Sequence, residues 1–112
     1  MTPEDAGRRQ RSLDVRVPGG ETWAEVAARV VPCLHRILGD HPDPDETVAL
    51  VGHGGSLRAA VLDALAAPLS VLLHMRLDNA SLTRLDYQQD ARGGWLGRVV
   101  FLNDTSHLEG AL

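Results

Sequence analysis

The sequence contains no lysine, a single cysteine and few aromatic residues, and each shortage excludes a class of protein or site. All 11 basic residues are arginine and the formal net charge is −4, so we do not expect a general nucleic-acid binder. Because Cys33 is alone, the chain can form neither an internal disulfide nor a cysteine-based metal site. Aromatic residues make up 4% of the chain, which leaves valine, leucine, isoleucine and alanine to build the core.

Long apolar runs are missing as well. No run approaches the ~18 residues that a membrane span needs, and the first residues lack the apolar region of a signal peptide. We therefore expect no membrane partner and a cytoplasmic location, and the single cysteine agrees with a reducing compartment.

A chain of 112 residues is long enough for one small domain. Residues 1–17 are polar and rich in arginine, which predicts a tail or linker, and residues 18–112 are predicted to form the domain. Arg8, Arg9 and Arg11 form either a basic arm or an ordinary solvated tail.

The first helix is predicted to begin at Thr22. Thr22 with Glu25 three residues later has the pattern of a capping box. Apolar residues then recur at helical spacing from Trp23 to Leu38, and the helix is predicted to end at Gly39. Pro32 lies within this pattern and is expected to kink the helix.

The rest of the sequence predicts one strand, one helix and a hairpin. Residues 47–51 are apolar on both faces, as in a strand buried in the middle of a parallel sheet. Residues 56–66 predict a buried helix that Pro68 stops, and residues 70–75 predict a helical turn. Two further strands, at residues 81–87 and 95–102, are joined through glycines as in a hairpin. This order of elements indicates an α/β fold.

The turn Gly52-His53-Gly54-Gly55 links the predicted strand to the second helix. It is not a dinucleotide fingerprint, because Leu57 stands where the third glycine is required. A phosphate loop would need a lysine, and a nucleophile elbow would need glycine two residues after Ser56.

Two interpretations of this turn remain open. Backbone N–H groups at a helix start, approached closely over Gly54 and Gly55, can hold an anion to which His53 donates a hydrogen bond. Alternatively, His53 only caps a tight turn.

Four segments in order resemble the histidine phosphatase superfamily, the phosphoglycerate mutase-like proteins. These are PGGETWAEVAARV (18–30), VALVGHGGSLRA (48–59), LDNASLTRLDY (77–87) and VVFLNDTSHL (99–108). The resemblance covers nearly the whole chain and implies hydrolysis of small phosphate monoesters through a phosphohistidine. It also implies a partial three-layer α/β/α sandwich that lacks the N-terminal strands of the family.

The resemblance assigns roles to specific residues. In the family, a first histidine in an Arg-His-Gly motif attacks phosphorus, and a second histidine binds the phosphoryl group. His53 matches the second histidine, with Gly54 and Gly55 beside it at the phosphate. Glu21 matches the acid that protonates the leaving oxygen in many members, although a carboxylate near a helix start is also favoured by the helix dipole alone. No metal or organic cofactor is implied.

The sequence departs from the family in that Arg-His-Gly does not occur in it. The other histidines, which we expect to be surface or structural, are His35, His41, His74 and His107. Arg58, one helical turn after His53, either faces the site or pairs with a carboxylate at the surface.

Three interpretations of the missing nucleophile follow. The chain is a truncated and inactive half of a phosphatase, or one half of a split or swapped phosphatase, or a non-catalytic module that binds phosphate esters or a partner. In each case the strand at residues 47–51 has an open edge, which could pair with the missing N-terminal half or with a second copy of the chain.

Overall fold

The computed structural model of the chain describes residues 20–109, so the expected tail at residues 1–17 lies outside the described part. Helix α1 spans Trp23–Asp40 and helix α2 spans Gly54–Leu65. Strands β1 (Leu82–Gln89) and β2 (Trp95–Asp104) form an antiparallel pair. Short 3₁₀ helices span Leu69–His74 and Ser106–Leu108.

Helix α1 confirms the first predicted helix and begins at Trp23, one residue after the predicted start. Thr22 is its N-cap, and the Thr22 hydroxyl accepts a hydrogen bond of 3.2 Å from the backbone N–H of Glu25. Pro32 lies inside the helix, and Leu34 is buried. The helix runs one residue beyond Gly39.

Helix α2 begins at Gly54, two residues before the predicted start at Ser56. Glycine leaves the backbone free to follow either a turn or a helix, so the sequence did not define this boundary. Its small apolar residues supply much of the buried core, as expected of a helix that is apolar nearly all round. The helix ends where Ala66 adopts a left-handed conformation with φ 50°.

The hairpin agrees with the prediction, and it packs closely on α2. Tyr87 pairs with Gly97 across the two strands, and Gly97 meets Ala64 of α2. A Cβ on Gly97 would lie 2.5 Å from the Ala64 Cα, so only glycine allows this approach. Helix α2 therefore lies against α1 on one side and against the hairpin on another.

The predicted strand at residues 47–51 is wrong for the described structure. These residues form no strand with any described residue, and Val51 is fully exposed rather than buried between helices. The physical reason is that a strand needs a neighbour to share hydrogen bonds with, while β1 and β2 pair only with each other in residues 20–109. The 3₁₀ helix at Leu69–His74 confirms the predicted helical turn.

Among residues 20–109, none of the helices combines the length and apolar character that crossing a membrane requires.

Candidate functional site

The start of α2 presents backbone N–H groups that have no partner in the part of the chain that the structure describes. The first hydrogen bond of the helix runs from the Leu57 N–H to the His53 carbonyl, at 3.0 Å. The N–H groups of Gly54, Gly55 and Ser56 come before it, and no acceptor for them exists among residues 20–109. Three free donors at the positive end of a helix favour an anion.

His53 stands at the N-cap position of α2 with an extended backbone, φ −98° and ψ 165°. Its side chain makes no capping hydrogen bond and the residue is exposed. The Ser56 hydroxyl donates to the His53 carbonyl at 3.0 Å, which fixes the backbone of the turn without using the imidazole. The imidazole is thus available to a ligand beside the free N–H groups.

Trp23 connects this helix start to the start of α1. The indole ring lies so close to Gly55 that a Cβ there would be 2.7 Å from the ring carbon Cζ3. Glu21 is two residues before Trp23, and His53 is two residues before Gly55. The contact therefore brings the two helix starts, with Glu21 on one and His53 on the other, to the same region of the molecule.

Glu21 is held by Arg29 in an exposed ion pair. Its two carboxylate oxygens accept hydrogen bonds from Arg29 Nη2 at 3.0 Å and Arg29 Nε at 3.2 Å. The hydrogen bond to Glu21 raises the pKa of the Arg29 guanidinium above its usual value. In this arrangement Glu21 accepts hydrogen bonds from Arg29 rather than donating a proton.

Arg58 lies at the same end of α2 as His53. Side chains on a helix lean toward its N-terminus, and Arg58 Nη1 would lie 3.4 Å from a Cβ on Gly54. Its Nε is buried and finds no hydrogen-bond partner. In residues 20–109 no carboxylate pairs with this guanidinium, so the surface ion pair considered for Arg58 does not form there.

The other histidines lie in separate contacts. His35 Nε2 is 2.9 Å from the Asp63 carboxylate, His41 Nδ1 is 2.7 Å from Glu46, and His107 Nε2 is 2.8 Å from the Ala80 carbonyl. Within the described ranges, no group of three or more histidine, cysteine, aspartate or glutamate residues could hold a metal ion.

Asp63 is a residue whose partners the sequence did not reveal. Its Oδ2 accepts a 2.7 Å hydrogen bond from the Tyr87 hydroxyl and lies 2.9 Å from His35 Nε2, so one oxygen joins α1, α2 and β1. Burial, followed by the bond to Asp63, raises the pKa of Tyr87 above its usual value. The only available signal was a lone acid on a helix that is otherwise nearly all apolar.

A cavity of about 400 Å³ lies elsewhere along α2. Asp63, Leu62 and Ala59 line it together with residues of α1 and with Trp95 of β2. None of the candidate site residues lines it, so this cavity is separate from the start of α2.

Comparison with known proteins identifies a family model and several relatives. A model described as "Histidine phosphatase superfamily (branch 1)" matches residues 2–103. The chain is 34% identical over 119 aligned positions to a probable phosphoglycerate mutase GpmB of Salmonella paratyphi B, covering 97% of this chain and 52% of the relative. The same values hold for the protein of that name from Salmonella newport. The chain therefore spans about half the length of the curated relatives it matches.

Two solved structures share the fold. A mycobacterial glucosyl-3-phosphoglycerate phosphatase in complex with VO3 matches with a TM-score of 0.71 and 26% identity, over 93% of this chain and 53% of its own. A protein described as mycobacterial hydrolase 2 matches with a TM-score of 0.70 and 25% identity, over 92% of this chain and 48% of its own. These matches confirm the expected partial α/β fold.

Proposed function

The chain belongs to the histidine phosphatase superfamily, and on this basis we propose that it binds the phosphoryl group of a small phosphate monoester at the start of α2. The His53 imidazole donates to one phosphoryl oxygen, and the N–H groups of Gly54, Gly55 and Ser56 donate to the others. Phosphoryl transfer depends mainly on positioning and on neutralising charge, which such donors supply. The observation that supports this proposal most directly is that three N–H groups without a partner among residues 20–109 lie beside the exposed imidazole of His53.

The nucleophile in this proposal is a histidine outside these 112 residues, because Arg-His-Gly does not occur in them. That histidine attacks phosphorus while the ester P–O bond breaks, and Glu21 gives a proton to the leaving oxygen. Glu21 has first to release Arg29, since both carboxylate oxygens now accept from that guanidinium. Water then hydrolyses the phosphohistidine. The 112 residues alone are accordingly an inactive half, and we expect no turnover from them.

We propose that the strand bearing Arg-His-Gly, which these 112 residues lack, pairs with residues 47–51. Val48 is 41% exposed, Leu50 48% and Val51 100%, which is unusual for a segment apolar on both faces. The relatives are about twice as long as this chain, so a segment of comparable size is available in them to cover these residues. A second copy of the chain could pair with the same edge, but it would bring no Arg-His-Gly.

A second candidate function is a phosphate-ester binding module without catalysis. Two observations favour it. The described residues supply hydrogen-bond donors for phosphate, and the carboxylate of Glu21, the proposed acid, accepts hydrogen bonds from Arg29. The two functions predict the same binding and differ only in whether addition of a polypeptide with the Arg-His-Gly strand produces turnover. For either, we propose the cytoplasm as the compartment, on the ground of the single cysteine.

The test is a titration of the ¹⁵N-labelled chain with inorganic phosphate, followed by NMR. We expect the amide signals of Gly54, Gly55 and Ser56 to shift, and the shifts to weaken strongly in His53→Ala. His41→Ala, which removes an exposed histidine in the loop after α1, is the matched control and should behave as wild type. The glycines of the hairpin turn, Gly93 and Gly94, should not respond.

The outcomes separate the proposals. If phosphate moves no amide at the start of α2, or moves the hairpin glycines equally, the phosphoryl site is wrong. Hydrolysis of an aryl phosphate by the chain alone, lost in His53→Ala, would contradict the proposal that the nucleophile lies outside. Size-exclusion chromatography tests the open edge: a Val51→Glu variant should remain monomeric if wild type associates through residues 47–51, whereas association unchanged by it would refute that surface.

A further inference from the structure

Arg58 places a positive charge near the N-terminus of α2, where the helix dipole makes a cation unfavourable. It belongs to the second turn of α2, and its guanidinium extends back to the start of the helix, where the dipole is positive. The first turn of α2 contains no acidic residue to offset this charge. The positive charge of the dipole and that of the guanidinium therefore add at the same place.

Among residues 20–109, the guanidinium also has no partner that accounts for its position. Its Nε is buried without a hydrogen-bond partner, and no ion pair to Arg58 exists among residues 20–109. A buried donor without an acceptor is unfavourable unless something else at the site compensates for it. By contrast, Arg29, Arg76 and Arg84 each pair with a carboxylate at the surface.

We propose that Arg58 is a further phosphoryl-binding residue of this site, which rests on the proposed function. Through the Nη1 edge that lies beside Gly54, the guanidinium donates to a phosphoryl oxygen of the anion held by the N–H groups of α2. A phosphate dianion neutralises both the guanidinium and the helix dipole. It also explains why a cation is stable at this end of α2 without a carboxylate beside it.

The experiment compares the dissociation constant of inorganic phosphate for the full 112-residue chain and three arginine variants. Arg58→Gln should weaken binding about tenfold or more, the loss of a charge-assisted hydrogen bond. Arg58→Lys, which keeps the charge but not the fork of donors, should lie between Arg58→Gln and wild type. Arg92→Gln, which removes the same charge from the exposed hairpin turn, should bind as wild type.

A thermal melt in phosphate-free buffer gives a readout that separates binding from folding. Because Arg58 has no partner in the described part of the chain, Arg58→Gln and Arg58→Met should melt no lower than wild type. Phosphate should raise the melting temperature of wild type more than that of either variant. Loss of stability in both variants without phosphate would show a purely structural role and overturn the proposal.

The two proposals fail in different ways. If wild type binds phosphate through His53 and Arg58→Gln binds equally well, the role of Arg58 is wrong while the phosphoryl site stands. If wild type binds no phosphate at the start of α2, the phosphoryl site is wrong, and the role of Arg58 is wrong with it.

Discussion

The indole ring of Trp23 lies against Gly55, and this contact joins the first residue of α1 to the second residue of α2. A Cβ on residue 55 would lie 2.7 Å from Cζ3 of the ring, a distance that forces the ring to move. Because the ring can shift, Gly55→Ala should lower the free energy of unfolding by about 1–3 kcal/mol. It should also weaken phosphate binding: alanine keeps the N–H of residue 55, but the clash displaces the start of α2, where the N–H groups lie.

Urea denaturation followed by tryptophan fluorescence measures this change. Gly39→Ala is the control, because a Cβ at Gly39 meets nothing within 4 Å. Replacing glycine inside α1 should leave stability unchanged or raise it by up to about 1 kcal/mol. Equal effects of the two substitutions on the free energy of unfolding would show that the close contact between Trp23 and Gly55 does not affect stability.

Gly97→Ala is expected to be the more damaging substitution. Here the new Cβ would lie 2.5 Å from the Cα and 2.9 Å from the carbonyl oxygen of Ala64, which are backbone atoms that cannot turn aside. Strand β2 and helix α2 would have to separate, so we expect a loss of about 3 kcal/mol or more. The urea midpoint measures it, and a Gly97→Ala protein as stable as Gly55→Ala would contradict the ranking.

The structural features that could be predicted from the sequence are those set by neighbouring residues. Thr22 and Glu25 define the start of α1 within four residues, and Gly93 lies in the turn that joins β1 to β2. The cap and the turn do not depend on the rest of the fold, which is why the structure confirms them. Glu21 and His53 were identified from short motifs that resemble the family, and their roles stay predictions.

The remaining features depend on residues distant in sequence. The contacts of Asp63 with Tyr87 and His35 join positions 24 and 28 residues apart, and no spacing rule predicts them. The hydrogen bonds between Glu21, which precedes α1, and Arg29 within α1 likewise depend on side-chain geometry. The strand expected at residues 47–51 was wrong because its apolar pattern describes burial, and burial there requires a neighbouring strand that the described residues do not supply.

Tyr87 should link stability to alkaline pH. Burial and the hydrogen bond to Asp63 raise the pKa of Tyr87 above its ordinary value of about 10. A group whose pKa is higher in the folded state stabilises the fold fully at pH values below its unfolded pKa. This stabilisation is lost as the pH rises above the unfolded pKa toward the folded one. Stability should therefore decline above about pH 10, and Tyr87→Phe should flatten the decline while costing about 1 kcal/mol at neutral pH.

Tyr87 is the only tyrosine of the chain, so its ionisation can be followed directly by tyrosinate absorbance. We expect that absorbance to appear together with the loss of circular dichroism, rather than before it. An ordinary tyrosine titration in a protein that is still folded would show that the contact with Asp63 does not hold in solution.

Acid should destabilise the chain through Asp78 and Asp104. Hydrogen bonds from Arg76 and then Asn103 lower the pKa of Asp78, and hydrogen bonding with Ser106 lowers that of Asp104. A group with a lowered folded pKa stabilises above its unfolded pKa and loses this contribution as pH falls, so urea midpoints should drop below about pH 4. Asp78→Asn should reduce that drop, whereas Asp43→Asn in the exposed loop after α1 should not. A drop of the same size in wild type and Asp78→Asn would contradict the assignment to Asp78.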